Sequence, residues 1–99
     1  MAGKQVTVVA LIKAKAGLEE KVCEVLQGLI GPTRSEAGCI NYDMHRDVAD
    51  RALFMFHENW VSKAALDEHL AKPHLQAFLA QADDLLAQPV EITLWDRID

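Results

Sequence analysis

Between Leu53 and Phe78 the chain brings together two imidazoles, a carboxylate and several aromatic rings. An apolar run ends in Glu58 and Trp60, the next segment carries His69, and Pro73 is followed by His74 and then Phe78. These groups suit proton transfer on a small molecule. His74 falls in the first turn of a helix opened by Pro73, where the helix dipole disfavours a second positive charge and keeps imidazole neutral. Neutral imidazole accepts a proton, so His74 is a candidate general base. His69, near the C-terminal end of the preceding helix, meets the opposite field and is expected to hold a proton more readily. Two histidines biased in opposite directions suit an acid and a base. Each also has a plain structural reading, as a half-exposed helix-end residue bonding a backbone carbonyl.

Glu58 shares strand parity with Phe54, Phe56 and Trp60. If that face meets the helices, Glu58 points into a pocket and can orient a histidine or a substrate hydroxyl. The alternative is a structural carboxylate paired with an arginine such as Arg34 or Arg97, because a buried carboxylate needs a partner. Tyr42, Phe54, Trp60 and Phe78 are candidate substrate-binding walls, with simple core packing as the alternative for each. His45 reads as a strand-end surface residue, and Asn41 as lining either a cavity or a contact between chains. His69 and His74, five residues apart across a proline, are a poor helical metal pair, and no Gly-rich phosphate loop is present. Neither a metal nor another cofactor is expected.

The elements that must position these groups follow from periodicity. Gln5 to Ala14 is β-branched and apolar on both parities, which predicts a strand buried on both faces. Leu18, Val22, Val25, Leu26 and Leu29 recur at helical spacing after Gly17, predicting an amphipathic helix that bends at Pro32 and ends at Gly38. Cys39 to Asp47 and Leu53 to Trp60 predict an antiparallel hairpin turning at Val48–Arg51. Ser62 is a good N-cap for a helix through Leu70, and Pro73 starts another to Leu86. Val90 to Ile98 is the last strand. The order βαββαβ predicts a single α+β domain over residues 1–99, ferredoxin-like, with a four-stranded antiparallel sheet. Helices cover one sheet face. The other is also apolar, with Leu53 and Met55 on β-strand positions opposite Phe54 and Phe56, so a large patch needs covering. Packing of two sheets in a twofold homodimer is the simplest cover.

The bulk numbers limit the partners. Ninety-nine residues make one core. A net charge of −5, with signs interspersed, argues against a nucleic-acid surface, which needs a basic stripe. No apolar run approaches the length that spans a bilayer, and no charged-then-apolar leader precedes the first strand. Two lone cysteines, Cys23 and Cys39, lack metal-ligand spacing and suit packing in a reducing cytoplasm.

Several segments in order resemble the antibiotic biosynthesis monooxygenase family of the dimeric α+β barrel superfamily. They are Ala14-Lys15-Ala16-Gly17, Thr33-Arg34-Ser35-Glu36-Ala37-Gly38-Cys39, Tyr42-Asp43-Met44-His45-Arg46-Asp47, Glu58-Asn59-Trp60-Val61-Ser62, and Ala64-Ala65-Leu66-Asp67-Glu68-His69 to Pro73-His74. The resemblance implies a small homodimer with a pocket between sheet and helices in each subunit. It also implies a cofactor-independent monooxygenase that oxidises a phenolic or quinol-like substrate with molecular oxygen. Related members process small metabolites without oxygen, so an acid–base isomerase and a non-catalytic small-molecule-binding dimer stand as alternatives. Haem-degrading relatives use Asn, Trp and His where this chain has Ala10, His69 and about Leu79, and that branch does not fit.

Overall fold

The structure, a computed structural model, describes residues 4–99; Met1-Ala2-Gly3, on which the leader expectation partly rests, lie outside the described residues. Strand β1 (Val6–Lys13) leads into helices α1 (Glu19–Gln27) and α2 (Ile30–Arg34), then strands β2 (Cys39–Arg46) and β3 (Leu53–Trp60). Helices α3 (Lys63–Leu70), α4 (Pro73–Ala80) and α5 (Ala82–Leu85) precede strand β4 (Glu91–Trp95). The strands form one antiparallel sheet in the order β2-β3-β1-β4, with β2 and β4 at its edges. This is the ferredoxin-like plan that the element order predicts. Among the described residues no helix is long and apolar enough to cross a membrane.

Local chemistry sets the boundaries. Gly17 adopts φ +88°, the left-handed region that a side chain resists, and so turns β1 toward α1. The break after α1 falls at Gly28 rather than at Pro32. Pro32 instead sits in the first turn of α2, where its missing N–H needs no partner. Asp47 closes the hairpin by accepting from the amides of Ala49 and Asp50 at 2.9 and 2.8 Å. Ser62 caps α3 by accepting from Ala65 N at 3.1 Å, and Pro73 opens α4. The helix expected to reach Leu86 is interrupted at Gln81. Beyond it the chain is drawn to the end of β1, where Lys15 N donates to Leu85 O at 2.9 Å and Ala87 N to Lys13 O at 2.8 Å.

The helix-facing side of the sheet carries the core. Val6, Val8, Ala10 and Ile12 of β1 and Phe54, Phe56, Glu58 and Trp60 of β3 are all buried, under Val22, Leu26, Leu66, Leu75 and Phe78 from the helices. Each large apolar side chain so buried contributes roughly 1.5–3 kcal/mol. Register places Tyr42, Glu58, Val8 and Leu94 in one row across the sheet, and Met44, Phe56, Ala10 and Ile92 in the next. The opposite face differs from expectation: Thr7, Val9, Leu11 and Lys13 are only half-buried, so within one chain β1 is covered on one side alone. Leu53 and Met55 share that open face with a polar chain, in which Thr7 Oγ1 donates to Asn59, Asn59 Nδ2 to Asn41, and Asn41 Nδ2 to Asp43.

Candidate active site

One oxygen atom joins three segments at one end of the helix layer. Glu36, in the turn between α2 and β2, accepts through Oε2 from His69 Nδ1 at 2.8 Å and from His74 Nε2 at 3.0 Å. His69 stands on the last turn of α3 and His74 on the first turn of α4. The short turn at Ala71-Lys72, in which Lys72 N donates to His69 O at 3.1 Å, swings the second helix round so that both rings meet the same carboxylate. The His69 and Glu36 side chains are 3% and 8% exposed, and that of His74 21%. A carboxylate only accepts, so His69 carries its proton on Nδ1 and, when neutral, leaves a lone pair on Nε2. Nε2 makes no hydrogen bond among the described residues.

Aromatic rings fix the His69 imidazole. Trp60 lies 4.5 Å from it, tilted, and Tyr42 meets it edge-on at 5.6 Å while stacking on Phe56 at 4.4 Å. Trp60 Nε1 donates to Glu58 Oε1 at 2.9 Å. This replaces the expected arginine partner: Arg34 bonds Tyr42 O and Asp43, and Arg97 bonds Asp99. Burial of Glu58, 4% exposed, pushes its carboxyl up to about 7; the indole bond opposes the shift and the charge of Glu36 adds to it. Burial, reinforced by Glu58, also raises the Tyr42 phenol. For His69 the sequence expectation fails. Burial lowers its pKa below the ordinary imidazole value, and this outweighs the opposing pull of Glu36 and the favourable helix end.

A cavity of about 50 Å³ lies between the sheet and helices α3 and α4. Tyr42, Glu58 and His69 line it together with an apolar wall that includes Val8, Ala10, Ile12, Leu75 and Phe78, and no Lys or Arg reaches it. Leu79, Val90 and Ile92 are shared with the wall of an open depression of about 460 Å³ that Asp83, Leu86 and Pro89 also border. The site residues predicted from sequence thus divide. His69, Glu58, Tyr42 and Phe78 line the cavity. Trp60 supports it from behind, holding Glu58 and the His69 ring. Phe54 does not reach it: it is core packing, with the Arg46 guanidinium 4.7 Å above its ring. His74 is not on the wall either, and its Nε2 is occupied by Glu36. Glu36 escaped sequence reasoning, since nothing in a Thr-Arg-Ser-Glu-Ala-Gly turn marks which charge points inward. His45 is exposed, as expected, and Asn41 lies on the open sheet face.

Despite their poor spacing in sequence, His69 and His74 do meet at a potential metal-ligand set. Glu36, His69 and His74 each offer a ligand atom, all within 4.8 Å of one another, a two-His, one-carboxylate set. The proline between the histidines brings them together rather than keeping them apart. In this structure the three groups satisfy each other by hydrogen bonds.

The crystal structure of PA3566 from Pseudomonas aeruginosa is similar to this chain with a TM-score of 0.93 and 35% identity, covering 100% of this chain and 99% of that one. Rv0793 from Mycobacterium tuberculosis superposes with a TM-score of 0.91 over 97% of each chain and is 34% identical over 94 residues, 95% of this chain and 92% of its own length. The Synechocystis protein sll1783 is 38% identical over 90 residues; the match takes in 91% of this chain and 61% of that longer relative. The profile of the antibiotic biosynthesis monooxygenase family spans residues 5–81, from the first strand through both histidine-bearing helices. With the dimeric α+β barrel type of fold, and that profile running through the turn and the helices that hold Glu36, His69 and His74, the chain belongs to the antibiotic biosynthesis monooxygenase family.

Proposed function

We propose that this protein is a cofactor-independent monooxygenase that oxidises a small, uncharged phenolic or quinol-like molecule with O2, with His69 as general base. The observation that carries this reading is the Glu36–His69 pair. Glu36 holds the Nδ1 proton, so the free lone pair of Nε2 belongs to a ring on the wall of a mostly apolar cavity. His74 supports the carboxylate. Such a base contributes typically 10²–10⁴-fold to rate. The absence of Lys and Arg from the cavity wall disfavours phosphorylated or carboxylate substrates and favours a neutral ring.

The substrate O–H gives its proton to His69 Nε2, and Glu36 stabilises the imidazolium formed. The phenolate passes one electron to O2, giving a phenoxyl radical and superoxide. Their recombination forms a carbon–oxygen bond, and loss of water across the O–O bond leaves a quinone, so that phenol and O2 become quinone and water. A neutral Glu58 carboxyl donates a hydrogen bond to the ring oxygen as its charge develops. The cavity of about 50 Å³ is smaller than a ring, so the substrate approaches from the adjoining depression by displacing Leu79 and Ile92.

Acid–base isomerisation is the second reading, favoured by Glu58, whose pKa near 7 makes it a competent acid on the same cavity as His69. The half-buried row of Val9, Leu11, Leu53 and Met55 supports sheet-to-sheet homodimerisation. Two free thiols, Cys23 and Cys39, fit a cytoplasmic protein.

Chelator-treated protein is assayed in an oxygen electrode with a panel of hydroquinones and naphthols. Uptake that disappears in His69→Gln supports the reading. Turnover undiminished under argon replaces it with the isomerase, and ligand-dependent thermal shifts without turnover replace both with a binding protein.

A further inference from the structure

Helix-facing positions along β1 read Val6, Val8, Ala10 and Ile12. Ala10 is the one small side chain in this row, and its cross-strand neighbours are Phe56 and Ile92. Protein interiors close their gaps as organic crystals do, so a void left beside an alanine between two β-branched residues is uncommon. Along β1 the wall passes from Val8, in the row of Glu58 and Tyr42, to Ala10 and Ile12, whose β3 neighbours are Phe56 and Phe54, so it has a polar end and an apolar end. Tyr42, Glu58 and His69 supply its polar side-chain atoms; Ala10, Ile12, Leu29, Leu75 and Phe78 supply none. A buried water needs two to four polar partners, which the second end lacks, and cavities of that kind stay dry and take apolar guests such as xenon. The volume of about 50 Å³ exceeds that of one water site and falls well short of the ~150 Å³ that admits benzene.

We propose that the apolar end of this cavity, bounded by Ala10, Ile12, Leu75 and Phe78, is a binding pocket for molecular oxygen. The inference deepens the monooxygenase reading and rests on it for its biological meaning. An O2 molecule held beside Ala10 shares one cavity with His69 and Glu58, so the anion formed at the polar end meets its oxidant without a bulk encounter. The pocket selects by size and lack of polarity: a diatomic gas fits, while water and the ring do not.

Dioxygen itself is the probe. Methyl-labelled protein is compared by NMR under argon and under several atmospheres of O2, whose paramagnetism speeds relaxation of nearby methyls. Ile12, Leu29 and Leu75 are expected to show several-fold greater enhancement than Val22 and Leu26, which are fully buried but lie off the cavity. In Ala10→Val the added methyls occupy the void, and the excess falls to the level of Val22 and Leu26. Equal enhancement at all five residues in the wild-type protein overturns the pocket, whether or not the variant folds. The readout needs no turnover, so it stands apart from the oxygen-electrode result: excess relaxation with no phenol oxidation leaves the gas site and removes the reaction. Where the enzyme turns over, Ala10→Val raises the KM for O2 several-fold and leaves the pH profile set by His69 in place; an unchanged KM for O2 argues against the pocket.

Discussion

At the scale of single residues, the carboxylate Glu36 and the imidazole His69 are tied by a hydrogen bond of 2.8 Å. His69→Gln should lower kcat/KM by about 10²-fold or more, the span of a lost general base, whereas His74→Gln should cost less because His74 is not on the cavity wall. Steady-state kinetics on a shared substrate separates the two, and equal losses would put His74 back in the chemistry. Glu58 gives a pH signature. Its folded pKa of about 7 lies above the ordinary 4.5, so the folded protein binds the proton more tightly than the unfolded chain. Stability therefore falls as pH rises from about 4.5 to 7 and stays lower above that window, by an amount of order 3 kcal/mol. His69, lowered by burial, contributes in the opposite direction: its stabilisation is present above 6.5 and is lost as pH falls through its folded pKa. Denaturant titrations of Glu58→Gln at pH 5 and pH 8 should show the variant gaining on wild type at the higher pH; a pH-independent difference would contradict the burial argument. His69, Glu58, Tyr42 and Phe78 were legible in the sequence because strand parity and helix position put them on one layer. Glu36 was not, because a charged residue in a turn has no periodicity to reveal its direction.

Among the elements, one close backbone approach sets α3 beside the start of the second strand. Gly38, immediately before β2, lies so close to α3 that a Cβ there would stand 2.4 Å from the Cβ of Ala65. The same glycine accepts from Val61 N at 2.9 Å. Gly38→Ala should push α3 away and cost about 1–3 kcal/mol, the usual penalty of overpacking, with activity falling further than stability because Glu36 and His69 flank the contact. Thermal melts beside kinetics test this, and a variant with wild-type activity would show that the helix can shift without harm to the site. Ser62→Ala removes the cap of α3 at a cost of about 1 kcal/mol. The strand set and the capped start of α3 followed directly from pattern and turn chemistry. The breaks at Gly28 and Gln81 did not, since each answers to tertiary demands, the second to pairing of Leu85 and Ala87 with the end of β1.

For the molecule as a whole, the open sheet face is where the proposed assembly would form. Leu11, Met55 and Leu53 lie toward one end of that face and the Thr7–Asn59–Asn41–Asp43 polar chain toward the other, with Val9 between them. Sedimentation at micromolar concentration should report a dimer, and Met55→Lys should shift it toward monomer by placing a charge in the row that the partner sheet would cover; a monomeric wild type would remove the sheet-to-sheet arrangement. Sequence alternation announced that face, while its polar seam emerged only once register was known. The rim of the sheet carries a different consequence. Strand β4 is a five-residue border with one free flank, and its Ile92, Leu94 and Trp95 are well exposed. Unpaired amides beside such side chains invite strand addition and, eventually, aggregation. The shortness of β4 and the ionic residues Glu91, Asp96 and Arg97 at its ends are its safeguards, so neutralising them should turn a well-behaved solution turbid, as light scattering on warming would record.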